Sequence, residues 1–141
     1  MSPSESADET NRLKTYELAS AALMVELMET DHQLDERESR EFIAVLEETL
    51  ELDHGDIEEI VELATNEAQQ ATSLYEFTRL INDNYEYNEK VKLIENLWRI
   101  AFADEKLDKY EENLIRRLAG LIHVSHSDFI QTKLRVKKPA G

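Results

Sequence analysis

Apolar residues return every three or four positions along most of this chain, and no stretch sustains the two-residue alternation of a half-buried strand. Tyr16, Ala19, Leu23 and Leu27 form one stripe between about residues 11 and 30. Ala21, Ala22, Met24 and Met28 widen it until most of that helix is apolar, and such a helix belongs in the middle of a bundle. The stretch from about 89 to 103 has the same character through Leu93, Ile94, Leu97, Trp98, Ile100, Ala101 and Phe102. Amphipathic helices fill the rest. One opens at Asp35 and buries Phe42, Val45, Leu46, Thr49 and Leu50; the next opens near Asp53 and Asp56 and buries Ile57, Ile60, Val61, Ala64 and Ala68. Ser73 with Glu76 reads as a capping box before Leu74, Phe77, Leu80 and Ile81, and residues 82–88 read as a polar turn. A helix from Asp108 carries Leu114, Ile115, Leu118, Leu121 and Ile122, and a last one from Ser125 and Asp128 carries Phe129, Ile130 and Leu134. The pattern predicts an all-α domain of about seven helices around two central ones, with Trp98 and the methionines in the core.

An acidic phrase occurs twice. Asp31-His-Gln-Leu34-Asp35-Glu-Arg-Glu38 returns as Asp104-Glu-Lys-Leu107-Asp108-Lys-Tyr-Glu111, sharing D-x-x-L-D-x-x-E. Each copy follows an apolar helix and precedes another helix, so the chain reads as two pseudo-twofold-related helix-turn-helix halves. Leu34 and Leu107 are expected to plug the core. Asp35, Glu38, Asp108 and Glu111 fall in a first helical turn, where a carboxylate meets free N–H groups and the positive end of the dipole. Capping of that kind contributes about 0.5–2 kcal/mol each. Asp31 and Asp104 sit near the C-terminal ends of apolar helices, where a negative charge costs up to about 1 kcal/mol. Either each aspartate has left its helix to accept loop N–H groups, or the acids converge on a metal. In the second case Asp31, Asp35 and Glu38, and likewise Asp104, Asp108 and Glu111, would offer hard oxygens to Ca²⁺, Mg²⁺ or Mn²⁺. The spacing is not that of an EF-hand.

Composition narrows the function classes. Only 3 Gly and 2 Pro leave little turn chemistry for a sheet, and the lack of Cys excludes disulfides and thiolate metal sites. Residues 1–9 have neither the basic nor the apolar part of a signal peptide, and the run Leu18–Met28 is too short to span a bilayer and contains Glu26. A soluble cytoplasmic protein without direct membrane insertion is expected. Its expected layout is a disordered acidic tail over 1–10, one helical domain over 11–136 and a basic tail over 137–141. The net charge of −15 is uneven: residues 1–70 hold 20 acids and 4 bases, and residues 71–141 hold 11 acids and 12 bases. The first half therefore repels nucleic acid and anionic lipid and suits basic protein surfaces. Lys133, Arg135, Lys137 and Lys138 read as a solvated basic end after the last helix, or as a dock for an acidic partner.

Catalytic patterns are thin. There is no Gly-rich phosphate loop, no H-E-x-x-H, no nucleophile elbow and no thiol. E-x-x-H occurs as Glu29–His32 and Glu51–His54, but at predicted helix ends rather than mid-helix as di-iron bundles require. His123 and His126 flank a helix junction and read as capping or surface residues.

Residues 97–130 resemble the TerB-like family, which includes tellurite-resistance proteins and the N-terminal domain of a DnaJ-like membrane-anchored co-chaperone. The family signature is A-x-A-D-G, a hydrophobe and D-x-x-E. Here it reads Ala101-Phe-Ala103-Asp104-Glu105-Lys-Leu107-Asp108-Lys-Tyr-Glu111, with Glu105, and His32 in the first copy, where the family has Gly. The resemblance implies an all-helical pseudo-twofold domain over about 15–135, a setting of metal-oxyanion stress, and membrane-linked or multiprotein complexes. It implies a suggested role in cation binding for the acids and no catalytic mechanism. A non-enzymatic protein-interaction scaffold is the functional expectation, with a divalent-cation-binding module as the alternative.

Overall fold

A computed structural model of the chain describes residues 15–29, 36–50, 54–70, 74–103 and 108–137. These contain seven helices and no strand: α1 (Thr15–Met28), α2 (Glu36–Leu50), α3 (His54–Gln70), α4 (Tyr75–Asn84), α5 (Tyr87–Ala101), α6 (Lys109–Leu121) and α7 (His126–Lys137). The two apolar stretches are the two central helices. Ala19, Ala21 to Val25, Leu27 and Met28 of α1 are buried, as are Leu93, Ile94, Leu97, Trp98, Ile100 and Ala101 of α5. Phe42, Val45 and Leu46 of α2 and Ile115, Leu118 and Ala119 of α6 pack onto them, joined by Ile57, Ile60, Ala64 and Ala68 of α3 and by Phe129 of α7. Trp98 is fully enclosed, with its ring 5.7 Å from Phe102 and 5.2 Å from Phe129.

The packing scheme follows the repeat. α1 packs on α3 and on α2, as α5 packs on α7 and on α6; α2 meets α3 as α6 meets α7. The halves also cross, α1 on α6 and α2 on α5, and α1 meets α5 directly. Exchanging α1 with α5, α2 with α6 and α3 with α7 thus maps the scheme onto itself. α4 has no counterpart; it leans on α1 and α6.

Several boundaries differ from the pattern-based expectation. The polar turn expected over 82–88 shrinks to Tyr85 and Glu86, because its polar side chains serve helix ends instead. Asn84 donates to the Leu80 carbonyl at 2.8 Å, Asn82 donates to that of Leu121 at 3.0 Å, and the Glu86 N–H donates to the Glu89 carboxylate at 2.8 Å, opening α5. The basic end lies within α7 as far as Lys137: Lys133 pairs with Glu112 at 2.6 Å and Arg135 with Glu95 at 2.9 Å. Leu134 is exposed, since α7 turns Phe129 and Thr132 inward. Thr49, placed on the buried face by spacing, is exposed because it borders an open cleft rather than a neighbouring helix.

Two devices lock the second half. α6 ends in a Schellman motif: the His123 N–H donates to the Gly120 carbonyl at 3.2 Å and that of Val124 to Ala119 at 2.9 Å. This requires a positive φ at His123, 64°, where glycine is usual. α7 opens with the Asp128 N–H donating to Ser125 Oγ at 3.1 Å. The Tyr87 hydroxyl, from the first turn of α5, accepts the Ser125 N–H at 3.0 Å and donates to Asp128 Oδ2 at 2.5 Å. Across the middle, the half-buried Arg99 of α5 holds two carboxylates of α2, Glu41 at 2.8 Å and Glu48 at 2.6 Å. The hydrogen bond from Arg99 holds the Glu48 carboxyl below its ordinary range.

Candidate functional site

The repeated acidic phrase is split by the described residues. Asp31, Asp35 and Asp104, with Leu34, Leu107 and His32, lie outside them; Glu38, Asp108 and Glu111 lie within. Asp108 is the N-cap of α6, with extended backbone (φ −75°, ψ 137°) and its carboxylate accepting the Tyr110 N–H at 3.0 Å. That is the capping role expected of it. Glu38 and Glu111 occupy matching turns of α2 and α6 and are both only 1% exposed. Burial to that degree goes beyond ordinary first-turn capping. A carboxylate taken out of water costs several kcal/mol, roughly, unless donors or a cation face it. Among the described residues no three acids or histidines gather into a metal-holding group. The proposed sextet spans described and undescribed positions alike.

His123 and His126 serve the joint between α6 and α7. His123 holds the left-handed position after α6, and His126 begins α7 and stacks on Phe129 at 6.0 Å. His54 is the first residue of α3, while Glu51 lies outside the described residues.

Among the described helices, α3 carries the largest uncompensated negative charge. Its 17 residues include Asp56, Glu58, Glu59, Glu62 and Glu67 and no Lys or Arg. Ile57, Ile60, Ala64 and Ala68 turn inward, which leaves Glu58, Glu59, Glu62 and Glu67 exposed. Glu58 and Glu59 are four and three residues before Glu62, so the three share one outer stripe. None of these four exposed glutamates makes an ion pair with another described residue. Like charges at such spacings cost about 0.2–0.5 kcal/mol per pair. On α1, Glu26 is half-buried; burial first, and the neighbouring Glu29 second, push its carboxyl above the ordinary range.

A cleft of about 290 Å³ opens between α1 and α5, with Tyr85 in its lining. Its floor includes two buried polar residues that periodicity alone did not flag, Ser20 and Asn96, 6% and 3% exposed. Ser20 Oγ and Tyr85 Oη share a hydrogen bond of 2.7 Å. Asn96 Oδ1 is buried without a hydrogen-bond partner. An acceptor in that state costs about 1–3 kcal/mol. The signal that could have found both is the repeat itself. Position 20 corresponds to Leu93 and position 96 to Leu23, so each polar residue stands where the other half carries leucine.

Among the described residues no helix is long and apolar enough to cross a membrane. A family model described as tellurite resistance protein TerB matches residues 17–134. No curated protein and no solved structure matches the chain.

Proposed function

The chain belongs to the TerB family of tellurite resistance proteins, and on that footing we propose that it is a non-enzymatic helical module that holds a basic protein partner within a tellurite-resistance-like stress response. The observation that carries this reading is the outer face of α3: exposed glutamates at like-charge spacings, no Lys or Arg on the helix, and no ion pair with another described residue. A partner surface rich in Lys and Arg would relieve that repulsion and be steered to it from a distance. A cytoplasmic setting and the exclusion of nucleic acid, which the same charge would repel, are part of the proposal.

An immobilised basic peptide tests it at about 50 mM and about 300 mM salt, conditions that shorten the screening length from about 14 Å to about 6 Å at low cost to the fold. The wild-type protein should be retained at the lower salt and released at the higher. The variant with Glu58→Gln, Glu59→Gln, Glu62→Gln and Glu67→Gln should bind at least about tenfold more weakly while melting no lower. Equal retention of that variant, or no retention of the wild type at low salt, would refute the reading.

A second reading, a divalent-cation module of Asp31, Asp35 and Glu38 with Asp104, Asp108 and Glu111, is favoured by one observation. The two glutamates at matching repeat positions are equally and almost completely buried. A bound Ca²⁺, Mg²⁺ or Mn²⁺ stabilises the fold by RT ln(1 + [L]/Kd), about 2.7 kcal/mol at a hundredfold excess over Kd. A thermal melt with each ion at millimolar concentration measures this. A shift that survives Asp31→Asn with Asp104→Asn, or no shift with any ion, removes the cation.

A further inference from the structure

We propose that the α1–α5 cleft receives the guanidinium of one arginine from the basic partner segment; this deepens the scaffold reading and rests on it. The cleft is lined by acceptors. The Asn96 carboxamide lies in the floor with its oxygen unpaired, beside the Ser20 and Tyr85 hydroxyls. Glu17 and Glu89 add carboxylates, and Glu89 uses Oε1 for the N-terminus of α5. Among the described residues of the lining the one cation is Lys92, largely exposed and 3.9 Å from Glu95 of its own helix. Met24 and Leu93 supply apolar wall for an alkyl stem.

Three considerations select this occupant. First, a guanidinium carries five N–H donors in a fixed fork and no acceptor, which suits a pocket with acceptors on several sides better than a point-charge ammonium does. The Asn96 amide can present its oxygen by rotating about its last bond. Second, about 290 Å³ lies at the bottom of the small-ligand range of roughly 300–1,000 Å³, so the cleft holds a single side chain rather than a helix. Third, the polar floor departs from the repeat. Leucine stands at both mates, Leu93 for Ser20 and Leu23 for Asn96, so a leucine-lined seam was available to the fold. Departures from local consistency of this kind mark functional positions.

The test compares a basic peptide containing one arginine with the same peptide carrying citrulline, its neutral isostere, by titration calorimetry and by the side-chain amide signal of Asn96 in NMR. The arginine peptide should bind at least about tenfold tighter and move the Asn96 signal. Asn96→Leu restores the residue of the repeat mate and removes the unpaired oxygen, so it should melt no lower than the wild type yet lose the arginine preference. Ser20→Ala gives the same readout should the leucine variant fail to fold. Equal binding of the two peptides, or an arginine preference that survives both variants, overturns the pocket even while the basic peptides stay bound through α3. Agmatine binding more tightly than the arginine peptide overturns the partner segment as the source. Loss of all peptide binding at low salt removes the scaffold reading and this inference with it.

Discussion

Replacing His123 with glycine isolates the cost of one backbone conformation. His123 sits at φ 64°, held there by its own N–H to Gly120 and by that of Val124 to Ala119. For an L-residue the left-handed region costs about 1–2 kcal/mol, and histidine falls toward the lower end because it tolerates that region better than most. Glycine removes this cost but gains about 0.4–1 kcal/mol of extra freedom in the unfolded chain. The net expectation is a stabilisation of about 0–1 kcal/mol. The His123 side chain is exposed, so little packing is lost. For a chain of 141 residues the unfolding entropy makes 1 kcal/mol worth about 3 °C. His123→Gly should therefore leave the melting temperature unchanged or raise it by up to about 3 °C. His123→Val, β-branched at a positive φ, should lower it by about 3–6 °C. Circular-dichroism melts of the three proteins decide the matter, with urea titrations to check that the slope m is unchanged. If the glycine and valine variants melt within about 1 °C of each other, backbone strain is not what position 123 contributes.

Three other perturbations follow from the same geometry. Arg99→Met keeps the stem but frees Glu41 and Glu48; it should cost about 1–2 kcal/mol in urea unfolding at neutral pH. Because Arg99 depresses the Glu48 carboxyl, that share of stability is full above the ordinary carboxylate value of 4.5 and is lost as pH falls through the depressed value. The gap between wild type and variant should accordingly narrow in acid. Glu26 runs the other way: its raised carboxyl favours the fold below 4.5 and weakens it as pH rises through the raised value. Glu26→Gln should stabilise by a few tenths of a kcal/mol, roughly, at pH 7 and by nothing measurable near pH 4, read by melts at both. Tyr87→Phe removes the hydroxyl shared by Ser125 and Asp128; a loss of about 0.5–1 kcal/mol and faster amide exchange at Ser125, but not in α1, is expected.

The fold was legible because burial imposes period on a sequence. Leu23, Leu27, Phe42, Val45, Ile57, Leu97 and Trp98 are in the core where their spacing placed them. Helix starts were legible where a side chain caps, as at Asp108 and Ser125, and were misplaced where the same residues bond elsewhere, as with Asn82 and Asn84. Lys133 and Arg135 looked like a solvated tail because charge alone says nothing of Glu112 and Glu95, which lie distant in sequence and near in space. Of the acidic sextet, spacing identified the Asp108 cap but gave no hint that Glu38 and Glu111 are buried, since a first-turn glutamate is usually wet. Ser20 and Asn96 escaped notice for a related reason. A single polar residue inside an apolar stripe reads as tolerance until its partner position is known.

The crossed packing of α1 on α6 and α2 on α5 has a consequence for how the chain can come apart. The central helix of each three-helix unit also packs on the other half. Cleavage at the Tyr85–Glu86 joint would leave two pieces, each with a bare apolar flank shaped for the other. The molecule is in that sense an intramolecular dimer, joined through α1, α2, α5 and α6.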